Sequence, residues 1–461
     1  MSIRITGRSP RAKVKHKVVQ GHRIAIVSRR IADLTLDPKN PRVHSNTQLK
    51  KLARSIKRFG FIVPVLIDTN GRVISGHGRI VSASRLGWEE VPTIRIEHLT
   101  PEELKAFQIA DNHLTEIAAW DNRLLGATLK ELADLDFDIE VIGFETAESD
   151  LLIQGLDLAP VGKEDPADQI PADSGPPVTT LGDRWICGRH MVLCADALKD
   201  GSYATLLGGK KAAMIFTDPP FGVPVAGHVS GLGRTKHREF VMGSGRSTEA
   251  ERIDFLTQVL KLLVLHSADG SIHFVAMDFR HMYELLTAGR HAYTEFKNLC
   301  VWTKDNAGMG SLYRSQHELF FVFKNGKKPH INQVQLGKFG RWRSNSWRYS
   351  GMNSFSRKTE EGNLLSLHPT VKPVALVQDA ILDVSLRGQI VLDVFGGSGS
   401  TLIACERTGR VAHLMELDPR YCDAIVRRYQ AFTGDRARHA VTGQYFGQLE
   451  VKAAKKGGRH G

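Results

Sequence analysis

The feature that most limits what this 461-residue chain can fold into is the run from Gln389 to Asp418. An apolar stretch, Ile390-Val391-Leu392, ends in Asp393 and passes into Val394-Phe395-Gly396-Gly397-Ser398-Gly399; a helical pattern starts near Ser400. A second apolar stretch, Leu414-Met415, then closes on Glu416. Strand, glycine-rich turn, helix, strand and terminal acid form the pattern of a parallel α/β unit, which takes ligands at the carboxyl ends of its strands. Glycines let the backbone turn tightly and approach a ligand closely. An acid at the end of the following strand suits ribose hydroxyls. The spacing is not the nicotinamide fingerprint, because Leu402 stands where a third glycine would be needed. The glycine-rich loop alone reads equally well as a plain turn; the ordered series carries the inference.

A second motif lies earlier, in Met214-Ile215-Phe216-Thr217-Asp218-Pro219-Pro220-Phe221. An apolar strand ends in an acid, two prolines and an aromatic ring. The prolines stiffen the turn and remove two backbone donors, so carbonyls stay free to accept from a ligand amine. Asp218 adds a carboxylate acceptor and Phe221 a flat face. A flipped-out base bearing an amine needs hydrogen bonds to its polar edge and stacking on its ring. Base–aromatic stacking is worth ~1–3 kcal/mol.

Composition narrows the partners. Lys plus Arg total 62 against 49 Asp plus Glu, a formal net charge of +13, which suits a polyanion and equally suits plain solubility. No apolar run reaches the roughly 18 residues of a membrane span, so no membrane partner is expected. The basic N-terminus lacks the apolar core of a secretory signal. Five cysteines, widely spaced and without a CxxC pair, argue against a disulfide framework and against a zinc site. A reducing cytoplasm is the expected compartment and no metal is expected.

Along the chain, residues 1–28 read as a basic tail, 29–98 as a first compact domain and 99–156 as a helical extension. Residues 157–180, with several Pro, Gly and Asp, read as a linker. From 181 to 448 strands and helices alternate, as in a mainly parallel sheet; 449–461 read as a basic, solvated tail. In the first domain, Leu49, Leu52, Ala53 and Ile56 follow helical spacing, Val63–Asp68 reads as a strand and Asn70-Gly71 as a turn. Residues 338–358 carry Lys338, Arg341, Arg343, Arg348, Arg357 and Lys358 with Phe339, Trp342, Trp347, Tyr349 and Phe355 interleaved and no acid among them. Basic and aromatic residues together suit phosphates, base edges and stacking, so Arg341, Arg343, Trp347, Arg348 and Arg357 are the expected DNA contacts; a solvated surface loop is the plain alternative.

Asp218-Pro219-Pro220-Phe221 resembles the catalytic motif of DNA amino-methyltransferases. Asp393-Val394-Phe395-Gly396-Gly397-Ser398-Gly399 resembles their S-adenosylmethionine loop, and His368-Pro-Thr-Val-Lys372-Pro373 the segment before it. Catalytic motif first and cofactor loop later is similar to the permuted, beta-type group, which includes adenine-N6 and cytosine-N4 enzymes. The resemblance covers roughly 181–448, with a target-recognition insert at about 325–365. It implies an α/β, Rossmann-like S-adenosylmethionine-dependent domain acting on double-stranded DNA. In that reading Asp218 and the Pro219 carbonyl hold the target amine and Pro220 and Phe221 complete the base pocket. Asp393, Phe395, Gly397, Ser398 and Gly399 surround the cofactor's methionine part, Glu416 binds its ribose and Asp196 lies near its adenine. Lys372 and Pro373 line the same pocket. Adenine enzymes more often carry Tyr where Phe221 stands, and cytosine-N4 enzymes more often begin the motif with Ser, so Asp218 favours adenine N6. Cytosine N4 is the alternative target. No Pro-Cys pair is present, which argues against cytosine-C5 chemistry. Trp302-Thr303-Lys304 and the segment around His317-Glu318 resemble a later family motif near the catalytic face, where His317 reads as structural rather than catalytic.

The first domain resembles the α+β N-terminal domain of ParB-type partition proteins, on Asn40-Pro41-Arg42, the helix Leu49–Ile56 and Ser75-Gly76-His77-Gly78-Arg79. The resemblance implies a nucleotide-phosphate loop at Gly76, His77, Gly78 and Arg79. The loop departs from the family's Gly-Glu-Arg-Arg run, which leaves a scaffold or DNA-contacting module as the alternative. A non-catalytic ParB-like DNA-binding protein would explain this domain but not the two methylase motifs. A homodimer is left open.

Overall fold

The computed structural model describes residues 17–19, 22–156, 165–169, 171, 176–220, 248–305, 307, 312–338, 340–350 and 371–457. Phe221, Phe339, Phe355, Arg357, Lys358 and His368 lie outside the described residues. The chain divides into two units, Met1–Glu145 and Thr146–Gly461.

In the first unit, β1 (Lys17–Val19) and β2 (His22–Ile24) form an antiparallel pair, so ordered structure begins inside the expected basic tail. A four-stranded sheet follows, built from β3 (Ile26–Arg30), β4 (Val65–Ile67), β5 (Val73–Ser75) and β6 (Glu90–Arg95) in the order β3-β6-β4-β5. Helix α1 (Asn46–Phe59) starts where the Ser45 side chain accepts from the Gln48 amide, and α2 (His77–Arg85) starts at Gly76. Val65, Ile67, Val73, Ile80, Ala83 and Val91 form the core. Two further helices, α3 (Pro101–Glu116, with a Thr100/Glu103 capping box) and α4 (Asn122–Asp134), complete the unit.

The second unit opens with α5 (Thr146–Gln154), which sequence reading assigned to the extension of the first domain. Its buried Asp150 pairs with Arg387 at 2.9 Å and Arg410 at 2.8 Å, which ties this helix into the second unit. The expected linker is also anchored where it is described. Asp165 forms a bidentate pair with Arg407 (2.5 and 2.6 Å), Asp168 accepts from the Val374 amide at 2.8 Å, and Asp423 accepts from the Val178 and Thr179 amides at 2.7 and 3.1 Å. These charge-assisted contacts correct the reading of 157–180 as a plain spacer.

Among the described residues the sheet of this unit has ten strands. They are β7 (Arg184–Cys187), β8 (His190–Cys194), β9 (Ala212–Thr217), β10 (Ser267–Met277), β11 (Glu295–Thr303), β12 (His317–Lys324), β13 (Ser346–Arg348), β14 (Ile390–Asp393), β15 (Val411–Glu416) and β16 (Arg438–His439). Their order is β13-β11-β12-β10-β9-β14-β15-β8-β7-β16, and the central strands β10, β9, β14, β15 and β8 run parallel. Near-continuous apolar runs suit strands buried on both faces. Met214, Phe216 and Val391 point into one core, packed against α9 (Val374–Val384), α10 (Ser400–Thr408) and α11 (Pro419–Thr433). Ile215 and Leu392 point into the other, packed against residues of α6 (Asp200–Leu207), α7 (Glu249–Leu265) and α8 (Met282–Ala292). The C-terminal segment read as a solvated tail is in fact largely α12 (Phe446–Gly457), anchored by the buried Phe446 against Trp185. No helix among the described residues is long and apolar enough to cross a membrane.

Candidate active site

Adjacent parallel strands end side by side, so the carboxyl ends of β9, β14, β15 and β8 bring together residues far apart in sequence. Asp218 follows β9, Asp393 ends β14, Glu416 ends β15 and Asp196 follows β8. The Ala195 amide donates to the Glu416 carbonyl at 3.0 Å, which sets Asp196 beside the end of β15. Asp196 itself caps its own turn, accepting from the Leu198 amide at 2.9 Å.

Between β14 and α10 the loop turns through two left-handed glycines, Gly397 (φ 49°) and Gly399 (φ 81°), the latter capping α10. A Cβ at Gly399 would meet the Ile425 side chain at 3.1 Å, and one at Gly396 would meet Ile425 Cδ1 at 3.0 Å. The backbone is thus pressed on α11 on one side and left open on the other. Glu416 holds the loop from below, accepting from the Gly397 amide at 2.9 Å and the Asp418 amide at 3.0 Å. Burial raises the Glu416 pKa and these amides oppose the shift.

Asp393 is buried and accepts from Thr217 Oγ1 (2.9 Å), Thr401 Oγ1 (2.7 Å) and the Phe395 amide (3.2 Å). Burial nevertheless pushes its pKa up to about 7, and the neighbouring Asp218 adds to the rise. Thr217 and Thr401 carried no sequence signal for this role. The cleft above them encloses about 340 Å³, part of it open to solvent, and is lined by Phe216, Asp218, Lys372, Asp393, Phe395 and the loop Gly396–Ser398, among others.

Asp218 binds asymmetrically. Its Oδ2 is paired with Lys372 Nζ, while its Oδ1 is buried and has no hydrogen-bond partner among the described residues. A buried acceptor left unmade costs free energy, so such a group signals a missing ligand donor. Burial raises the Asp218 pKa, Lys372 opposes the rise and Glu318 adds to it. Pro219 and Pro373 are buried and Pro220 is half-buried. Pro373 precedes α9, and the Lys372 carbonyl accepts from Ser400 Oγ at 2.7 Å, which fastens this segment to the start of α10.

The basic segment departs from expectation. Arg341 is 5% exposed and donates to Asp383 Oδ1 at 2.7 Å and the Asp379 carbonyl at 3.1 Å; Arg343 pairs with the same two carboxylates at 3.1 Å each. Trp347 is a core residue of β13, next to Phe274 and Phe320. These three cannot reach DNA from where they stand, which corrects the sequence reading. Arg348 is exposed, as is Trp342 at 80%. His317 is half-buried against the Phe279 ring (6.1 Å), whereas its neighbour Glu318 contacts Lys372 at 3.1 Å.

In the first unit, Gly76 is left-handed (φ 105°) at the start of α2, and buried His77 accepts from the Asp37 amide at 3.2 Å. A Cβ at Gly78 would meet His44 at 3.1 Å, so this glycine serves close packing inside the unit. Arg79 donates to the Val63 carbonyl at 2.9 Å. Among the described residues no group of three metal-ligating side chains converges.

Three family profiles match the chain: a ParB N-terminal domain over residues 15–113, a ParB-methyltransferase HTH domain over 123–181 and a DNA methylase of the N6/N4 kind over 212–427. The chain thus carries a DNA methylase domain of the N6/N4 kind together with a ParB-like N-terminal domain. Among curated relatives, the ParB-like nuclease domain-containing protein YnaK of Escherichia coli (strain K12) is 42% identical over 81 residues, 18% of this chain and 93% of that protein. The type II methyltransferase M2.DpnII of Streptococcus pneumoniae is 24% identical over 226 residues, 47% of this chain and 82% of the relative. Among solved structures, a putative DNA modification methylase from Thermus thermophilus, complexed with S-adenosyl-L-methionine, is 18% identical with a TM-score of 0.37, covering 56% of this chain and 96% of its own.

Proposed function

We propose that the chain transfers a methyl group from S-adenosylmethionine to the exocyclic amine of a base flipped out of double-stranded DNA, with adenine N6 the target. The observation that carries this reading is the free, buried Oδ1 of Asp218 at the end of β9, beside the glycine loop that leaves β14. The cleft offers the cofactor a bare backbone cradle at Gly396–Ser398 and the carboxyl groups of Asp218 and Asp393. When bound, S-adenosylmethionine supplies an electrophilic methyl on a sulfonium centre. Gly396, Gly397, Ser398 and Gly399 would hold its methionine part with Asp393 and Phe395, Glu416 its ribose and Asp196 the side of its adenine. Lys372 and Pro373 close the wall.

The chain's own task is to orient a poor nucleophile. The lone pair of an exocyclic amine is delocalised into the ring. Asp218 Oδ1 accepts one N–H and the Pro219 carbonyl the other, which favours a more tetrahedral nitrogen with its lone pair aimed along the cleft. Fixing two reactants in line can supply up to roughly 7–11 kcal/mol. Asp at 218, where cytosine-N4 enzymes more often have Ser, supports adenine. Among the described residues, Arg348, with Trp342 on the same segment, is accessible for DNA contact.

The test is methyl transfer to unmethylated genomic DNA with labelled S-adenosylmethionine, followed by digestion and identification of the modified nucleoside. N6-methyladenine is the expected product. N4-methylcytosine would keep the mechanism and overturn the target, and absence of label in DNA would overturn the proposal.

A further inference from the structure

A row of four charges runs away from the cleft, and the methyl-transfer reading gives a part in the reaction only to its first member and uses its second merely as pocket wall. Asp218 Oδ2 is paired with Lys372 Nζ. Lys372 Nζ also lies 3.1 Å from Glu318 Oε2, and Glu318 Oε1 accepts from Lys304 Nζ at 2.5 Å. Lys304 in turn lies over the Trp302 ring, 4.7 Å from its centre. Side-chain exposure falls from 28% at Lys304 to 11% at Glu318 and 6% at Lys372, so Lys372 is the desolvated centre of the row. Its backbone is pinned as well, through the bond from Ser400 to its carbonyl.

Buried ion pairs are a poor way to add stability, because desolvating both charges offsets their attraction. A row of this kind at the mouth of a reaction cleft is better explained by what it does to Asp218. Lys372 occupies one carboxylate oxygen, so only Oδ1 is left for a ligand, in one orientation. Burial disfavours the Asp218 carboxylate and Glu318 adds to that, while Lys372 and Lys304 favour it. Burial disfavours charge on Glu318, yet Lys372 and Lys304 outweigh it and keep that carboxyl below its ordinary range. Burial likewise disfavours the Lys372 cation, but Asp218 and Glu318 raise its pKa well above the usual lysine value.

We propose that Lys372 and Glu318 are positioning residues for methyl transfer: Lys372 holds Asp218 ionised with one oxygen free for the target amine, and Glu318 holds Lys372 in place. The proposal rests on the methyl-transfer reading. It differs from a mere structural brace in predicting pH profiles that move in opposite directions. Without the Lys372 cation, Asp218 keeps its proton to higher pH; without the Glu318 anion, it loses that proton more readily.

The experiment compares wild type, Lys372→Met, Lys372→Arg and Glu318→Gln in two readouts. The first is the pH profile of kcat/KM for methyl transfer to unmethylated genomic DNA. The second needs neither DNA nor cofactor: the carboxyl carbon resonance of Asp218, assigned by its loss in Asp218→Asn, titrated in the full chain. Lys372→Met is expected to move the acid limb and the resonance midpoint up by about one pH unit or more, a tenfold or greater loss of rate on that limb. Lys372→Arg should restore most of that shift. Glu318→Gln should move both midpoints down while lowering the plateau rate, since Lys372 loses its second anchor. Melting curves separate variants that fail to fold, and for those the Arg and Gln variants carry the test. If wild type methylates DNA but neither midpoint moves in any folded variant, the positioning role is overturned. If wild type does not methylate DNA, the functional reading fails, and an unmoved carboxyl titration would separately overturn the charge row.

Discussion

Replacing Arg341 by Met should unfold the second unit more easily while leaving DNA affinity almost unchanged, the reverse of what its place in a basic, aromatic segment suggests. Arg341 is 5% exposed and donates to Gln154 Oε1 at 3.1 Å, the Asp379 carbonyl at 3.1 Å and Asp383 Oδ1 at 2.7 Å. Removing one member of a buried ion cluster leaves its partner charged and desolvated, typically at about 3–5 kcal/mol. Asp383 would keep Arg343 at 3.1 Å, so the lower end, about 3 kcal/mol, is expected. That corresponds to a drop in melting midpoint on the order of 5–10 °C. Near-ultraviolet circular dichroism isolates the relevant transition, because Trp185, Trp302 and Trp347 are all buried in the second unit. Changing both partners, Arg341→Met with Asp383→Leu, should recover most of the loss, since it removes the stranded charge. The reasoning is refuted if Arg341→Met melts like wild type and binds DNA more weakly with a shallower salt dependence, for then the guanidinium faces phosphate and not Asp383.

Asp218→Ala should nearly abolish methyl transfer while calorimetry still detects S-adenosylmethionine binding; equal loss of both would remove Asp218 from its place at the target amine. Arg348→Ala should weaken DNA binding and reduce the slope of log affinity against log salt by about one, as loss of a single phosphate contact does. Folding raises the Asp393 pKa from the ordinary carboxylate range to about 7, so between those values the native state binds the extra proton and stability falls as pH rises. Denaturant melts across that window should therefore show a steeper decline in wild type than in Asp393→Asn; parallel curves would contradict it. In the first unit, we expect labelled nucleoside triphosphate to bind saturably at Gly76–Arg79 and to be lost in Arg79→Ala, as equilibrium dialysis would read; a wild type without binding makes that loop a scaffold.

What the sequence made legible was whatever lies within one strand–turn–helix unit. The glycine loop, the acid ending each strand and the helix starting at Ser400 are local, and the parallel sheet follows from their repetition. Charge partners are not local. Lys372 reads in its motif as a cofactor-pocket residue, but its pairing with Asp218 spans 154 positions and leaves no trace in either motif. In its motif Glu318 stands beside the more conspicuous His317, yet it is Glu318 that reaches Lys372. Segment 338–350 shows why such reading misleads: within its own bounds it contains no acid, and so looks free to meet phosphate. Its acids lie on α9, where Asp379 and Asp383 stand four positions apart on one helical face and accept from Arg341 and Arg343 together. On a helix whose other residues, Gln378 apart, are Val, Ala, Leu and Ile, two acids at that spacing would be stranded against an apolar core without a cation. Acids so placed imply basic partners elsewhere in the chain, and two of the arginines that read as DNA contacts, Arg341 and Arg343, are those partners.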